Sequence, residues 1–188
     1  MRKLDDLKFD PKQDLLISVG DLVDRGSENV ECLELISIPW FRAVRGNHEQ
    51  MALDAQESGA LTLWVMNGGH WYQESTRGER LQIDERLDRC RQLPLIVELS
   101  AGSLRHIVAH ADYPAATYRW QQPVDEQQVL WSRQRLMDHL AGRHGAIGGA
   151  DHFWFGHTPL RHRLDRENLH YIDTGAVFGG ELTLVQLQ

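Results

Sequence analysis

The chain has 188 residues, 41% of them hydrophobic and 25% charged, with a formal net charge of −7. That length supports one domain with its own core, and an acidic chain without a basic stripe is not a nucleic-acid binder held by phosphate contacts. No apolar run reaches the roughly 18 residues of a membrane span, and the start, Met1-Arg2-Lys3-Leu4-Asp5-Asp6, is charged where a signal peptide is apolar. Cys32 and Cys90 lie far apart on apolar helix faces. They imply no disulfide framework, so a cytoplasmic protein is expected.

Residues 3–9 read as the end of a helix, with Leu4, Leu7 and Phe9 apolar and Asp10-Pro11 as the break. Residues 15–19 are an apolar strand. It runs straight into Gly20-Asp21-Leu22-Val23-Asp24-Arg25-Gly26, so two carboxylates and a guanidinium appear together at a sheet exit, between glycines that permit a tight turn. Ser27 is placed to cap a helix to about Ser37, with Val30, Leu33 and Ile36 on its inner face and Pro39 after it. Residues 40–45 form a second strand and complete a βαβ pattern. Its exit carries Gly46-Asn47-His48-Glu49.

A helix is expected from Glu49 to about Ser58, stopped by Gly59, then a short one over 61–66 closed by Asn67-Gly68-Gly69. Residues 79–92 read as an amphipathic surface helix. Strands over 95–99 and 105–109 flank a Ser-Ala-Gly-Ser turn, and the second delivers His110. Residues 111–125 read as loop, 126–140 as helix with a break near Ser132, and 142–149 as a mobile glycine-rich segment. A strand over 152–155 ends at Gly156-His157. Further strands are expected over 169–172 and 182–187, joined by a glycine-rich turn over 173–180. The chain is read as one domain, 1–188.

Four strand exits thus present Asp21, Asn47, His110 and His157. Carboxylate, amide oxygen and imidazole together suit manganese, iron or zinc, and strand ends are where α/β sheets hold ligands. Each residue also has a structural reading, as a turn former or as a histidine satisfied by its neighbours. GDxxDRG followed by GNHE decides between them, because the pair resembles the calcineurin-like metallophosphoesterases. Within these it is similar to the phosphoprotein phosphatases, in particular the phage lambda and enterobacterial serine/threonine branch.

The resemblance implies a mixed α/β fold, a four-layer β-sandwich of mixed sheets flanked by helices. It implies a metal-dependent serine/threonine or dual-specificity protein phosphatase acting on phosphorylated proteins or peptides through a metal-activated hydroxide. Mn²⁺ is the expected metal, with Fe, Zn and Ni as alternatives. Asp21 would bridge two metals, with Asn47, His110 and His157 completing the second site. Arg25, Arg133 and Asn47 would contact the phosphoryl group, and His48 would be the general acid, oriented by Asp24. The family also carries a GDxHG motif upstream of GDxxDRG. Asp5, Asp6, Asp10 and Asp14 stand in no such context, so the expectation is an N-terminally shortened domain lacking its first strand and the Asp and His of the first metal site. Two alternatives stay open: a bis(nucleosyl) tetraphosphate hydrolase, which shares these motifs, or an inactive prophage remnant that binds phosphoproteins without turnover. His70, His106, His139, His144, His152, His162 and His170 are read as surface or structural, and Trp154 and Tyr171 as core. Asp173-Thr174-Gly175 is read as support for the ligand loops.

Overall fold

A computed structural model describes residues 2–143 and 145–187. His144, with its expected surface or structural role, lies outside them. A short helix α1 (Arg2–Asp6) precedes strand β1 (Leu16–Ser18), which pairs in parallel with β2 (Phe41–Ala43), Leu16 opposite Phe41. Parallel neighbours need a crossover, and α2 (Asn29–Leu35) supplies it with Leu33 fully buried. This helix begins later than the sequence suggests. The Ser27 hydroxyl donates to the Glu28 carboxylate at 3.0 Å and caps nothing. Asn29 instead ties the helix to the preceding loop: its Oδ1 accepts the Asp24 N–H at 2.6 Å and its Nδ2 donates to the Gly26 carbonyl at 2.9 Å.

Helices α3 (Asn47–Ser58), α4 (Thr62–Trp64), α5 (His70–Glu74) and α6 (Arg77–Arg89) cover one side of this small sheet. Val23, Leu33, Phe41, Met51, Trp64, Ile83 and Leu87 form their shared core. Gly59 ends α3 in the left-handed region at φ 72°, as expected. A kinked segment, Val65–Gly69, joins α4 to α5, with Gly68 outside helical geometry at φ 122°. Helix α6 starts two residues before its predicted boundary, because Thr76 and Glu79 form a reciprocal capping box.

The larger sheet runs β3-β4-β5-β7-β6. Its strands are β3 (Ile96–Ala101), β4 (Leu104–Ala109), β5 (His152–Phe155), β6 (Leu164–Arg166) and β7 (Leu169–Tyr171). β4, β5 and β7 are parallel to their neighbours within that trio, while β3 and β6 are antiparallel at the edges. The period-2 pattern divides the faces. Ile107, Phe153, Phe155, Leu169 and Tyr171 pack on one side with Tyr113, Tyr118, Val129 and Ile147. Val108 and Trp154 turn to the other side, toward Val44 and Ile17 of the small sheet. The two sheets are thereby stacked and flanked by helices, the sandwich expected. β1 bears β2 on one edge and no strand on the other among the described residues.

Two expectations need correction, and one strand is new. β6 was not foreseen: it is a charged, exposed edge strand without an apolar alternation to reveal it. Residues 182–187 form no strand; Val185 and Leu187 pack on the Val108–Trp154 cluster instead. The glycine-rich segment is packed in its second half, where Ile147 is buried and Gly148 exchanges backbone bonds with Ala116 and Tyr118 at 2.9 and 2.8 Å. The break at Ser132 is present, with α7 (Glu126–Trp131) and α8 (Gln134–Leu140) on either side.

His106, His152 and His170 sit on the inter-sheet face around Trp154. His170 Nδ1–H donates to Asp165 at 2.5 Å and its Nε2 accepts from His152 Nδ1–H at 2.8 Å. Trp154 Nε1–H donates to His106 Nδ1 at 3.1 Å. No helix among the described residues is long and apolar enough to cross a membrane. Phe153→Ala should lower the unfolding free energy by about 3–5 kcal/mol in urea, while Leu81→Ala, on an exposed face, should stay within about 0.5 kcal/mol.

Candidate metal centre

The loops that leave β1 and β5 hold an unusual backbone. Gly20 has φ 93°, and Asp21, Asp24, Arg25 and His157 follow at 54°, 77°, 62° and 68°. Non-glycine residues rarely enter this left-handed region, and each costs on the order of 1–3 kcal/mol unless its surroundings over-determine it. Glu49 supplies much of that determination. It is fully buried in the first turn of α3. Its carboxylate accepts N–H bonds from Gly46 at 2.7 Å, Leu22 at 2.7 Å, Asp21 at 3.0 Å and Val23 at 3.3 Å. Burial pushes its pKa above the usual carboxylate value and the Asp21 charge adds to this, while the Gly46 and Leu22 N–H groups pull it back. Every backbone partner is a donor, so the ionised form fits; a protonated oxygen would find no acceptor among them. The GNHE stretch by itself does not disclose this role of Glu49.

Glycine is required where these loops meet. A Cβ on Gly46 would lie 2.3 Å from Asp21 Oδ1, and one on Gly20 would lie 2.8 Å from His110 Nδ1. The exits of β1, β2 and β4 therefore converge on one point, and the exit of β5 joins them: Gly156 N–H donates to the His110 carbonyl at 2.8 Å.

Asp21, Asn47, His110 and His157, predicted separately from four exits, are brought together. Acceptor atoms of Asp21, His110 and His157 lie within 4.8 Å of one another. His110 Nδ1–H donates to the Val19 carbonyl at 2.7 Å, which leaves Nε2 as a lone pair. That lone pair faces Asn47 Oδ1 at 2.9 Å and Asp21 Oδ1 at 3.3 Å. His157 Nδ1 approaches the same Asn47 oxygen at 2.8 Å. Burial first, with the Arg133 charge in support, holds the His157 pKa down to about 3 against the pull of Asp21. Its ring is neutral at working pH, the form that binds metals. Lone pairs crowded together without a protein cation between them suit a borderline divalent metal. The family's implied metal therefore fits the residues present.

Beside this cluster, His48 Nδ1–H donates to Asp24 Oδ2 at 2.6 Å, and its Nε2 lies 4.0 Å from Asp21 Oδ2. Both residues are buried. Desolvation alone would lower the His48 pKa. The Asp24 hydrogen bond and the Asp21 and Asp24 charges outweigh it, Arg25 opposes them, and the net direction is upward. Asp24 has two further donors that the sequence did not disclose: Trp64 Nε1–H at 3.0 Å to each oxygen, and Trp71 Nε1–H at 2.7 Å. The signal was Gly68-Gly69 between the two tryptophans, because a Cβ on Gly69 would lie 2.7 Å from the Trp64 ring.

Arg25 is exposed at the rim. Arg133 is exposed at the start of α8, near enough for its charge to act on His157. Arg135, on α8, is a brace. Its Nε–H donates to the buried Asp112 at 2.7 Å and its Nη2–H to the Tyr113 carbonyl at 2.9 Å. The Ser132 hydroxyl also reaches Asp112, at 3.5 Å. The segment after His110 is thus fastened to the break that presents Arg133. Asp112 stands two residues after His110, and no local pattern discloses its pairing with Arg135.

A stacked sandwich whose exits gather a metal-type donor set beside a His–Asp pair and two arginines defines a metal-dependent phosphoesterase. The chain belongs to the calcineurin-like phosphoesterase family, whose sequence profile matches residues 1–180. It is 56% identical to serine/threonine-protein phosphatase 1 of Salmonella typhimurium, over all of this chain and 85% of that protein. It is 39% identical to serine/threonine-protein phosphatase 2 of Escherichia coli, over 99% of this chain and 85% of the relative. A solved structure assigned provisionally as a diadenosine tetraphosphatase shares the fold, with a TM-score of 0.65 and 22% identity over 95% of this chain and 78% of its own.

Glu49→Gln leaves one acceptor oxygen where four N–H groups now find two. The variant is expected to lose about 1–3 kcal/mol of stability in urea unfolding, with weaker Mn²⁺ binding by calorimetry.

Proposed function

We propose that the protein is a metal-dependent serine/threonine protein phosphatase, with phosphotyrosine as a further substrate, hydrolysing phosphomonoesters in cytoplasmic phosphoproteins. The observation that carries this is the buried His48–Asp24 pair at 2.6 Å, with its free imidazole nitrogen aimed at the Asp21 cluster. Substrate class follows the names of the relatives of 56% and 39% identity.

Asp21, Asn47, His110 and His157 would hold a divalent cation, Mn²⁺ foremost with Fe, Zn and Ni as alternatives. That cation supplies the Lewis acidity of the reaction. Arg25 and Arg133 take equatorial phosphoryl oxygens, which suits a planar guanidinium that binds oxygens in pairs. The Asn47 amide N–H would add to the same clamp. His48 donates its Nε2 proton to the leaving oxygen of the serine or threonine. Asp24 keeps that imidazole charged and oriented, and Trp64 and Trp71 hold Asp24 in turn.

Mn²⁺-dependent hydrolysis of p-nitrophenyl phosphate and of a phosphothreonine peptide is expected. His48→Asn should lower kcat by about 10²–10⁴-fold, and Asp21→Asn should also abolish Mn²⁺ binding; unchanged activity in both would sink the mechanism. Faster turnover of a dinucleoside tetraphosphate than of the phosphopeptide would move the assignment to the tetraphosphatases.

The pH profile gives a second check. Asp24 raises the His48 pKa, so the general acid stays protonated to higher pH than an unassisted imidazole. Asp24→Asn removes that support. The alkaline limb of kcat should therefore move to lower pH, and a limb that stays in place would separate Asp24 from the acid's protonation.

A further inference from the structure

The turn after β7 presents an aromatic ring that the proposed mechanism leaves without a role. The turn is closely locked. Gly175 N–H donates to Asp173 Oδ1 at 2.9 Å, and the Gly175 carbonyl accepts N–H bonds from Phe178 at 2.8 Å and Gly180 at 2.9 Å. Gly175 and Gly179 flank the Ala176–Phe178 helical turn at φ 72° and 82°. A Cβ on Gly180 would lie 2.1 Å from the Thr174 carbonyl oxygen. This well-determined backbone leaves Phe178 61% exposed, where it contributes little to the core.

What Phe178 touches is Arg25, whose guanidinium carbon stands over the ring at 5.4 Å from the centroid. The stem of Arg25 runs against Gly68, where a Cβ would lie 2.8 Å from Arg25 Cγ. No carboxylate pairs with Arg25 among the described residues, and Asp24 beside it is committed to His48, Trp64 and Trp71. An aromatic face attracts a cation without consuming its N–H donors. A carboxylate in the same place would occupy those donors and repel a phosphate.

We propose that Phe178 is a positioning residue for the phosphate clamp: its ring restrains the Arg25 guanidinium and leaves the N–H groups free for phosphoryl oxygens. This rests on Arg25 having the role given to it above. An exposed cation–π contact of about 0.5–1 kcal/mol corresponds to roughly two- to five-fold in affinity.

The experiment uses the full chain with Mn²⁺ and measures KM and kcat for p-nitrophenyl phosphate, and Ki for inorganic phosphate. Phe178→Ala and Phe178→Leu should each raise KM and Ki about two- to five-fold, with kcat changed less than KM. Phe178→Tyr should behave as the parent. In an Arg25→Ala background, Phe178→Leu should add nothing. A leucine variant that matches the parent, or whose effect persists without Arg25, overturns the proposal. NMR of the Arg25 side chain provides a readout independent of catalysis: ring-current shifts in the parent should vanish in Phe178→Leu. Their absence from the parent also overturns the proposal. An inactive parent that shows the shifts counts against the phosphatase reading and leaves the contact standing.

Discussion

One buried carboxylate holds the two signature loops in register. Glu49 accepts N–H groups from Asp21, Leu22, Val23 and Gly46, residues that belong to different strand exits. Charge-assisted bonds to backbone N–H groups are stronger than neutral ones, and here they offset burial of the charge. They also hold a loop with residues in the left-handed region, a conformation that would relax if the loop were free. Asp21 can face His110 and His157 because its own N–H is tied back to Glu49. The metal-type donor set is in this sense a consequence of an acid that contributes no ligand atom.

A second layer of support surrounds the His48–Asp24 pair. Asp24 is buried, and a buried carboxylate needs partners. Two indole N–H groups and one imidazole supply them. Trp64 and Trp71 lie on either side of the kink at Gly68. That kink lets both indoles reach one carboxylate. On the opposite side, Asp112 and Arg135 stabilise the break between α7 and α8, which places Arg133. The residues read as chemical are thus each held by residues read as ordinary.

The two sheets contribute unequally. The larger one carries a core of its own on the Phe153–Phe155 face and brings His110 and His157 to neighbouring strand ends. The smaller one, two strands wide among the described residues, carries Asp21 and Asn47. The donor set exists only when the sheets stack, and Gly156 permits that approach: a Cβ there would lie 2.6 Å from Val19 Cγ2.

Strand exits, helix stops and the break at Ser132 were legible because they depend on local features: apolar runs, Gly59, Gly20 and a change of period. The residues Asp21, Asn47, His48, His110 and His157 were legible because short motifs place particular chemistry directly after strands. β6 was not, since a charged edge strand owes its pairing to β7 and not to its own pattern. The expected strand over 182–187 failed for the converse reason: its apolar residues pack against Trp154 without a partner ladder. Glu49, Trp64, Trp71, Asp112 and Arg135 stayed hidden because their roles are hydrogen bonds to residues distant in the chain. The sequence by itself determined which groups stand at the ends of which strands. Only the tertiary structure decided that four of those ends meet and which buried donors hold them there, because convergence depends on the stacking of two sheets and on long-range bonds that no local pattern encodes.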